Sequence, residues 1–189
     1  MKISLAQIDI QWENKEKNKV KCEEYISKAK NSGSDLVFFP EMTLTGFSMN
    51  VNILGEEDFQ TLDWFSRKAR EYELNIGFGW IKKCEEKGEN VFSIVNTDGK
   101  EIFRYTKIHP FSFSDENLYY NKGNKIDYFK IGNINFSGFI CYDLRFPEIF
   151  QIVSKKSECI IVIANWPMVR TEHWLTLLKA RAIENQCFV

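Results

Sequence analysis

Three residues with reactive side chains each stand at the end of an apolar, strand-like run. Glu41 follows "LVFFP", Lys107 ends "EIFRYTK", and Cys141 follows "INFSGFI". In α/β folds, functional sites collect at strand ends. A cysteine attacks only as its thiolate, so it needs a base, a cation or a helix N-terminus nearby. Together the three residues would supply a nucleophile, a general base and a cation that stabilises an oxyanion.

Each of these residues also has a structural explanation when it is taken alone. Free cysteine is among the most buried residue types, and single glutamates and lysines are usually solvated. The two histidines, His109 and His173, raise the alternatives of a Cys-His enzyme or a metal site. Neither has an HxxxH or CxxC partner, so we expect no metal and no cofactor.

The elements that must position these residues alternate between helix and strand patterns. We predict helices over residues 14–31, 57–72, 147–155 and 171–185. We predict strands over residues 2–10, 36–40, 75–81, 91–96, 101–108, 126–130, 134–140 and 159–164, with "TDGK" as a hairpin turn. This order mixes βα units with hairpins, which predicts an α/β sandwich with a mixed sheet and helices outside.

Composition limits the class of partner. The chain has 189 residues, 44% of them hydrophobic, which predicts one domain over residues 1–189. Its 25 basic and 26 acidic residues nearly cancel, so we expect neither nucleic acid nor a membrane as a partner. A small neutral or weakly charged substrate fits this balance better than a polyanion.

The N-terminus and the cysteines indicate the compartment. "MKISLAQIDIQWENKEKNK" lacks the unbroken apolar region of a signal peptide, and no stretch is apolar enough to span a bilayer. The five cysteines are odd in number and lack the spacing of a disulfide framework. We therefore expect a cytoplasmic protein with free thiols.

Three stretches of the sequence resemble the nitrilase superfamily of carbon-nitrogen hydrolases. They are "FPEMTLTGF" around Glu41, "RYTKIHPF" around Lys107 and "GFICYDLRFPE" around Cys141. The separations of 66 and 34 residues between the three also agree with the family. The resemblance implies an α-β-β-α sandwich with mixed sheets. It also implies an amide substrate, a cysteine thioester intermediate and release of ammonia.

The resemblance also implies roles for individual residues. Cys141 takes the position of the nucleophile, Glu41 that of the general base and Lys107 that of the oxyanion-stabilising cation. The backbone N–H of Tyr142 would complete the oxyanion hole. Glu116, in "SDENLYYNKGN", matches a second glutamate that holds the lysine and borders the substrate. The alternative for Glu116 is a solvated loop carboxylate, because "SDEN" is ordinary turn composition.

The segment after Cys141 is interpreted as structural. Arg145 lies close in sequence to Asp143 and to Glu148, which is beside a helix start. We predict that the three form a buried ion-pair network that fixes the turn at Cys141. The turn into a helix also predicts a lowered pKa for this thiol.

A fourth stretch, "ANWPMVRTEHW", is similar to the omega-amidase branch, whose members deamidate short omega-amides of 2-oxo acids. The resemblance implies that Asn165 and Trp166 line the substrate pocket. Arg170 is the best local cation for a substrate carboxylate, and the alternative is that it caps a loop or pairs with Glu172. Within the amidases, deaminated glutathione or another acyl amide is the second candidate substrate.

The sequence ends at Val189, whereas members of this superfamily normally continue with further strands that often reach across a dimer. We therefore expect a C-terminally truncated sandwich, and a homodimer if the chain is complete. A non-catalytic fragment of the same fold is the alternative to an enzyme.

Overall fold

The first part of the chain builds one sheet and the helices on its outer side. In the computed structural model, which describes residues 1–189, this part ends near residue 121. Its elements are β1 (Ile3–Leu5), α1 (Lys15–Asn31), β2 (Leu36–Phe38), α2 (Val51–Leu54), α3 (Gln60–Glu71), β3 (Asn75–Cys84), β4 (Lys87–Val95), β5 (Glu101–Thr106), α4 (Glu116–Tyr119) and β6 (Tyr120–Asn121).

The second part builds a smaller sheet with its own two helices. Its elements are β7 (Phe129–Ile131), β8 (Ile134–Ile140), α5 (Pro147–Val153), β9 (Cys159–Ile163) and α6 (Thr171–Asn185). Short 3-10 helices occupy Ser112–Ser114, Cys141–Arg145 and Met168–Arg170. None of the helices combines the length and the apolar character needed to cross a membrane.

Both sheets contain parallel and antiparallel pairs. In the larger sheet the order is β1-β2-β3-β4-β5; β1, β2 and β3 are parallel, β3 to β5 are antiparallel, and β6 adds to β4. In the smaller sheet β7 pairs antiparallel with β8, and β8 pairs parallel with β9. The predicted mixed-sheet architecture is confirmed.

The alternation of side chains along β2 shows how the layers pack. Leu36 and Phe38 belong to a core that also contains Phe136 and Ile140, which share the face of β8 that is turned to the larger sheet, so this part of the core lies between the two sheets. Val37 points the other way, into a core shared with side chains of α1 and α3. This alternation follows from the two-residue period of a strand.

The smaller sheet is covered on its outer side by α5 and α6. Phe150 of α5 is fully buried in the same core as β8, and Trp174 and Leu177 of α6 pack against that core. The layers are therefore helix, sheet, sheet, helix, as the family resemblance implied.

The structure differs from the predicted elements mainly at short segments. The first strand covers only Ile3–Leu5 rather than residues 2–10. Helix α3 begins at Gln60, three residues later than predicted, because Phe59 has a left-handed backbone with φ of 59°. Helices α2 and α4 and strand β6 were not predicted, since two to four residues are too few to display a period.

Candidate active site

The three reactive residues meet at one place in the fold. The Nζ atom of Lys107 donates to Glu41 Oε1 at 2.9 Å and to Glu116 Oε2 at 2.8 Å. Both carboxylates and the lysine are fully buried, and Cys141 is 8% exposed. The charges of Glu41 and Lys107 are close enough to Cys141 to change the pKa of its thiol. The predicted juxtaposition of Glu41, Lys107 and Cys141 is present.

Glu41 reaches this place because its loop lies directly against β3. Pro40 ends the apolar run, and Thr43 N donates to Gly79 O at 2.9 Å. A Cβ atom at Gly79 would lie 2.4 Å from Met42 N and 2.7 Å from Glu41 Cα. Only glycine allows this approach, so Gly79 sets the position of the Glu41 backbone.

Cys141 lies on a strained turn at the end of β8. Its φ of 48° is in the left-handed region, which a non-glycine residue rarely adopts. The turn is held by the buried carboxylate of Asp143, which accepts hydrogen bonds from Ile140 N at 3.1 Å and from Tyr105 Oη at 2.8 Å. Asp143 also accepts from the backbone N and the Nδ1 of His109, at 3.0 and 2.8 Å. It thus ties the turn to the segment that carries Lys107.

The predicted ion-pair network of Arg145 with Asp143 and Glu148 is wrong. Tyr105, His109 and the Ile140 backbone already occupy the oxygens of Asp143. The Arg145 guanidinium lies instead over the rings of Tyr142 and Trp166, at 6.0 and 5.3 Å from their centroids. Arg145 therefore lies on the cavity beside Cys141 rather than beneath the turn.

Glu116 is not the solvated loop carboxylate of the alternative interpretation. It is fully buried, and both its oxygens accept hydrogen bonds from Lys107, at 3.1 and 2.8 Å. Its Oε2 also accepts from the backbone of Phe111. Burial raises the pKa of Glu116, the positive charge of Lys107 lowers it, and the negative charge of Glu41 raises it.

The predicted lowering of the Cys141 pKa is wrong. Burial and the negative charge of Glu41 raise the pKa of this thiol well above 9.0, and Lys107 compensates only in part. Burial lowers the pKa of Lys107, but the charge interactions with Glu41, Cys141 and Glu116 raise it by more, so the pKa of Lys107 is raised. At neutral pH the site therefore holds a neutral thiol and a charged lysine. Attack by Cys141 then requires a base that removes its proton.

A small cavity opens onto Cys141. Its volume is about 180 Å³. The lining residues are Phe47, Phe111, Ser114, Cys141, Tyr142, Arg145, Asn165, Trp166, Pro167 and Arg170. A larger depression of about 630 Å³, bordered by Met1, Lys30 and Ile131, contains none of the reactive residues. The smaller cavity is the substrate-sized space next to the thiol.

The predicted pocket residues Asn165, Trp166 and Arg170 all line this cavity, whereas Glu116 does not. The backbone N of Asn165 donates to Glu41 Oε2 at 2.9 Å. Its side-chain amide donates to the backbone O of Glu41. Arg170 makes no ion pair with Glu172; its guanidinium lies 5.6 and 5.3 Å from the ring centroids of Phe111 and Phe113.

This geometry can be compared with known proteins. The family model described as carbon-nitrogen hydrolase matches residues 2–189. The 2-oxoglutaramate amidase of Bacillus subtilis is 36% identical over 99% of this chain and 73% of the relative. The chain belongs to the carbon-nitrogen hydrolase family. The predicted family and its omega-amidase-like branch are thereby confirmed.

Two further comparisons support the assignment. Omega-amidase YafV of Escherichia coli is 33% identical to this carbon-nitrogen hydrolase over 84% of the chain and 61% of the relative. A solved CN-hydrolase superfamily protein of Xanthomonas campestris is 29% identical and superposes with a TM-score of 0.90. That likeness covers 98% of this chain and 72% of the solved one, and confirms the predicted fold. The relatives favour an amidase over the alternative of a non-catalytic module.

Several residues of the site in this carbon-nitrogen hydrolase were missed by the sequence analysis. Asn90 donates from its side-chain amide to both Glu41 and Glu116. Phe47 lies with its ring centroid 5.2 Å from Lys107 Nζ, and also lines the cavity. The sequence held one signal for Asn90. It lies on the same face of β4 as the buried Phe92 and Ile94, where a polar side chain is unexpected. No pattern distinguished Phe47 among 16 phenylalanines.

Proposed function

We propose that this carbon-nitrogen hydrolase deamidates a small omega-amide of a short 2-oxo or dicarboxylic acid, with Cys141 as nucleophile. The observation that carries the proposal is the buried Glu41–Lys107 pair, at 2.9 Å, beside the thiol at the end of a small cavity. The similarity to 2-oxoglutaramate amidase supports the choice of substrate class.

In the proposed first half-reaction, Cys141 Sγ attacks the amide carbonyl carbon while Glu41 removes the thiol proton. The carbon–nitrogen bond then breaks, Glu41 returns the proton to the nitrogen, and ammonia leaves a thioester on Cys141. In the second half-reaction Glu41 removes a proton from water, which attacks the thioester. The carboxylic acid leaves and the proton returns to the thiol. The raised pKa of the Cys141 thiol supports this use of a base.

The oxyanion formed in both half-reactions requires positive charge and hydrogen-bond donors. Lys107 is held in its charged form by two carboxylates, at 2.9 and 2.8 Å, so it can stabilise that oxygen without changing protonation state. The backbone N–H of Tyr142, directly after the nucleophile, is proposed as the second donor. A preorganised donor pair of this kind needs no solvent rearrangement during the reaction.

The substrate carboxylate is proposed to bind Arg170. Its guanidinium stacks near Phe111 and Phe113 and lines the cavity that contains Cys141. An arginine fork binds a carboxylate bidentately, which would orient the omega-amide towards the thiol. Asn165 and Trp166 would form the adjacent wall, and Glu116 would hold Lys107 from behind and so border the substrate only indirectly.

Further proposals concern the setting of the enzyme. The five unpaired cysteines support a cytoplasmic location, and the family resemblance supports a homodimer. Deaminated glutathione or another acyl amide is the second candidate substrate. A small-molecule amide is the only partner that we propose besides a second copy of the chain.

A substrate comparison tests the proposal together with Arg170. Ammonia release from 2-oxoglutaramate or succinamate should show a higher kcat/KM than release from butyramide, which lacks the carboxylate. Arg170→Ala should remove most of this preference, about tenfold or more for one charge-assisted contact. Arg67→Ala removes the same residue type at an exposed position on α3 and should leave the preference unchanged. Equal rates for charged and neutral amides in the unmutated enzyme would exclude Arg170 as the anchor.

A further inference from the structure

We infer that Asn90 is a positioning residue that stabilises the Glu41 carboxylate and orients it for proton transfer. The inference rests on the proposed role of Glu41 as the base. Asn90 lies in β4 and is fully buried. Its Nδ2 atom donates to Glu41 Oε1 at 2.7 Å and to Glu116 Oε1 at 2.9 Å. Both amide hydrogens are therefore used on the two carboxylates that flank Lys107.

These hydrogen bonds favour the charged form of each carboxylate. An ionised carboxylate only accepts hydrogen bonds, whereas a protonated carboxyl group also carries an O–H donor that needs an acceptor. Two buried carboxylates beside each other would otherwise share a proton, because like charges disfavour joint ionisation. Lys107 supplies one positive charge for the two negative charges. The neutral donor on Asn90 adds stabilisation of both anions without adding charge.

The same contacts determine which lone pair of Glu41 remains for the thiol. Oε1 of Glu41 accepts from Lys107 and from Asn90, at 2.9 and 2.7 Å. Oε2 accepts from the backbone N of Asn165 at 2.9 Å. Because a carboxylate has about four acceptor sites, one site on Oε2 is left. By occupying Oε1 together with Lys107, Asn90 leaves Oε2 of Glu41 as the oxygen that can accept the thiol proton.

The other end of the Asn90 amide argues against a purely structural role. Its Oδ1 atom is buried and has no hydrogen-bond partner. Buried polar groups are normally satisfied, so a side chain present only for stability would be expected to use both ends. Turning the amide over would place Oδ1 against two carboxylates. The orientation is therefore dictated by Glu41 and Glu116, at the expense of the amide oxygen.

The test compares Asn90→Leu, which has a similar volume but no donor, with the unmutated enzyme over a range of pH. The acid limb of kcat/KM for succinamate should move to higher pH by about one unit, since a hydrogen bond to a charged group is lost. We also expect kcat to fall roughly tenfold, as for partial loss of general-base catalysis. A structural role alone would lower thermal stability without moving the pH profile.

Two controls keep the result interpretable. Ser93→Ala removes another fully buried polar side chain from the same strand, one that bonds Trp80 and Glu101 away from the site. It should lower stability and leave the acid limb in place. If Asn90→Leu does not fold, Asn90→Ser replaces it, because serine is small and cannot reach both carboxylates.

Alkylation of Cys141 by iodoacetamide gives a second pH profile that does not depend on turnover. Its acid limb should show the same upward shift in the Asn90 variant. If the unmutated enzyme releases no ammonia from any amide, the proposed function fails, while the alkylation profiles still test Asn90. Coincident acid limbs for the Asn90 variant and the unmutated enzyme would overturn the inference. An equal shift in Ser93→Ala would also overturn it.

Discussion

Glu41→Gln is expected to lower kcat by a factor of about a hundred or more, the usual loss for a general base, while the protein stays folded. Glutamine cannot remove the proton from a thiol whose pKa is raised by burial. The fold should survive because Lys107 still has Glu116 at 2.8 Å, so the change leaves one buried cation paired with one buried anion. Ammonia release and thermal melting should be measured on the same preparation.

A matched control for this change is Glu89→Gln. Glu89 pairs with Lys82 at 3.1 Å on the same sheet, but both side chains are about one quarter exposed. That variant should keep full activity. A near-normal rate for Glu41→Gln would contradict the assignment of Glu41 as the base.

Lys107→Met is expected to abolish turnover and also to destabilise the protein, by about 3–5 kcal/mol, the usual result of breaking a buried ion pair. The substitution leaves Glu41 and Glu116 buried with no cation between them. This differs from Glu41→Gln, which removes a charge from a cluster that holds two anions and one cation. The measurements are ammonia release and the free energy of unfolding in denaturant.

The loss of stability in Lys107→Met should depend on pH. Burial and the charge of Glu41 raise the pKa of Glu116 and the charge of Lys107 lowers it, so removing the cation moves this pKa further above its unfolded value, near 4.5. Stability relative to the parent is then lost as pH rises above that value and is recovered as Glu116 becomes protonated at lower pH. Lys82→Met, at a partly exposed pair, should cost at most about 1 kcal/mol. A Lys107→Met protein as stable as its parent at neutral pH would contradict the buried cluster.

The sequence was sufficient to predict the layers of the fold and the meeting of the three reactive residues. Apolar runs such as "LVFFP" and "INFSGFI" mark strands that are buried on both faces, and the residue after each run falls at a strand end. Motif spacing then placed Glu41, Lys107 and Cys141 in one family pattern. The helix over 14–31 was predictable from its spaced apolar positions, and in the structure the side chain of Asn14 caps it by accepting from Lys17 N.

The contacts within the site could not be predicted in the same way. The sequence places Arg145 two residues after Asp143, yet the carboxylate bonds Tyr105 of β5 and His109 in the loop that follows β5. The direction of the Cys141 pKa shift depends on burial and on the distance to Glu41, neither of which is a local property. Asn90 acts on Glu41 across 49 residues of sequence. Such contacts depend on three-dimensional packing.

The most direct test of the central claim is to trap the acyl group on Cys141. Rapid acid quenching of the enzyme with succinamate, followed by peptide mapping with mass spectrometry, should find one acyl group on the Cys141 peptide. Hydroxylamine should remove it, and Cys141→Ala should abolish both the adduct and ammonia release. Cys22, Cys84, Cys159 and Cys187 should remain unmodified. A burst of ammonia without an acyl group on Cys141, or with one on another cysteine, would contradict the account.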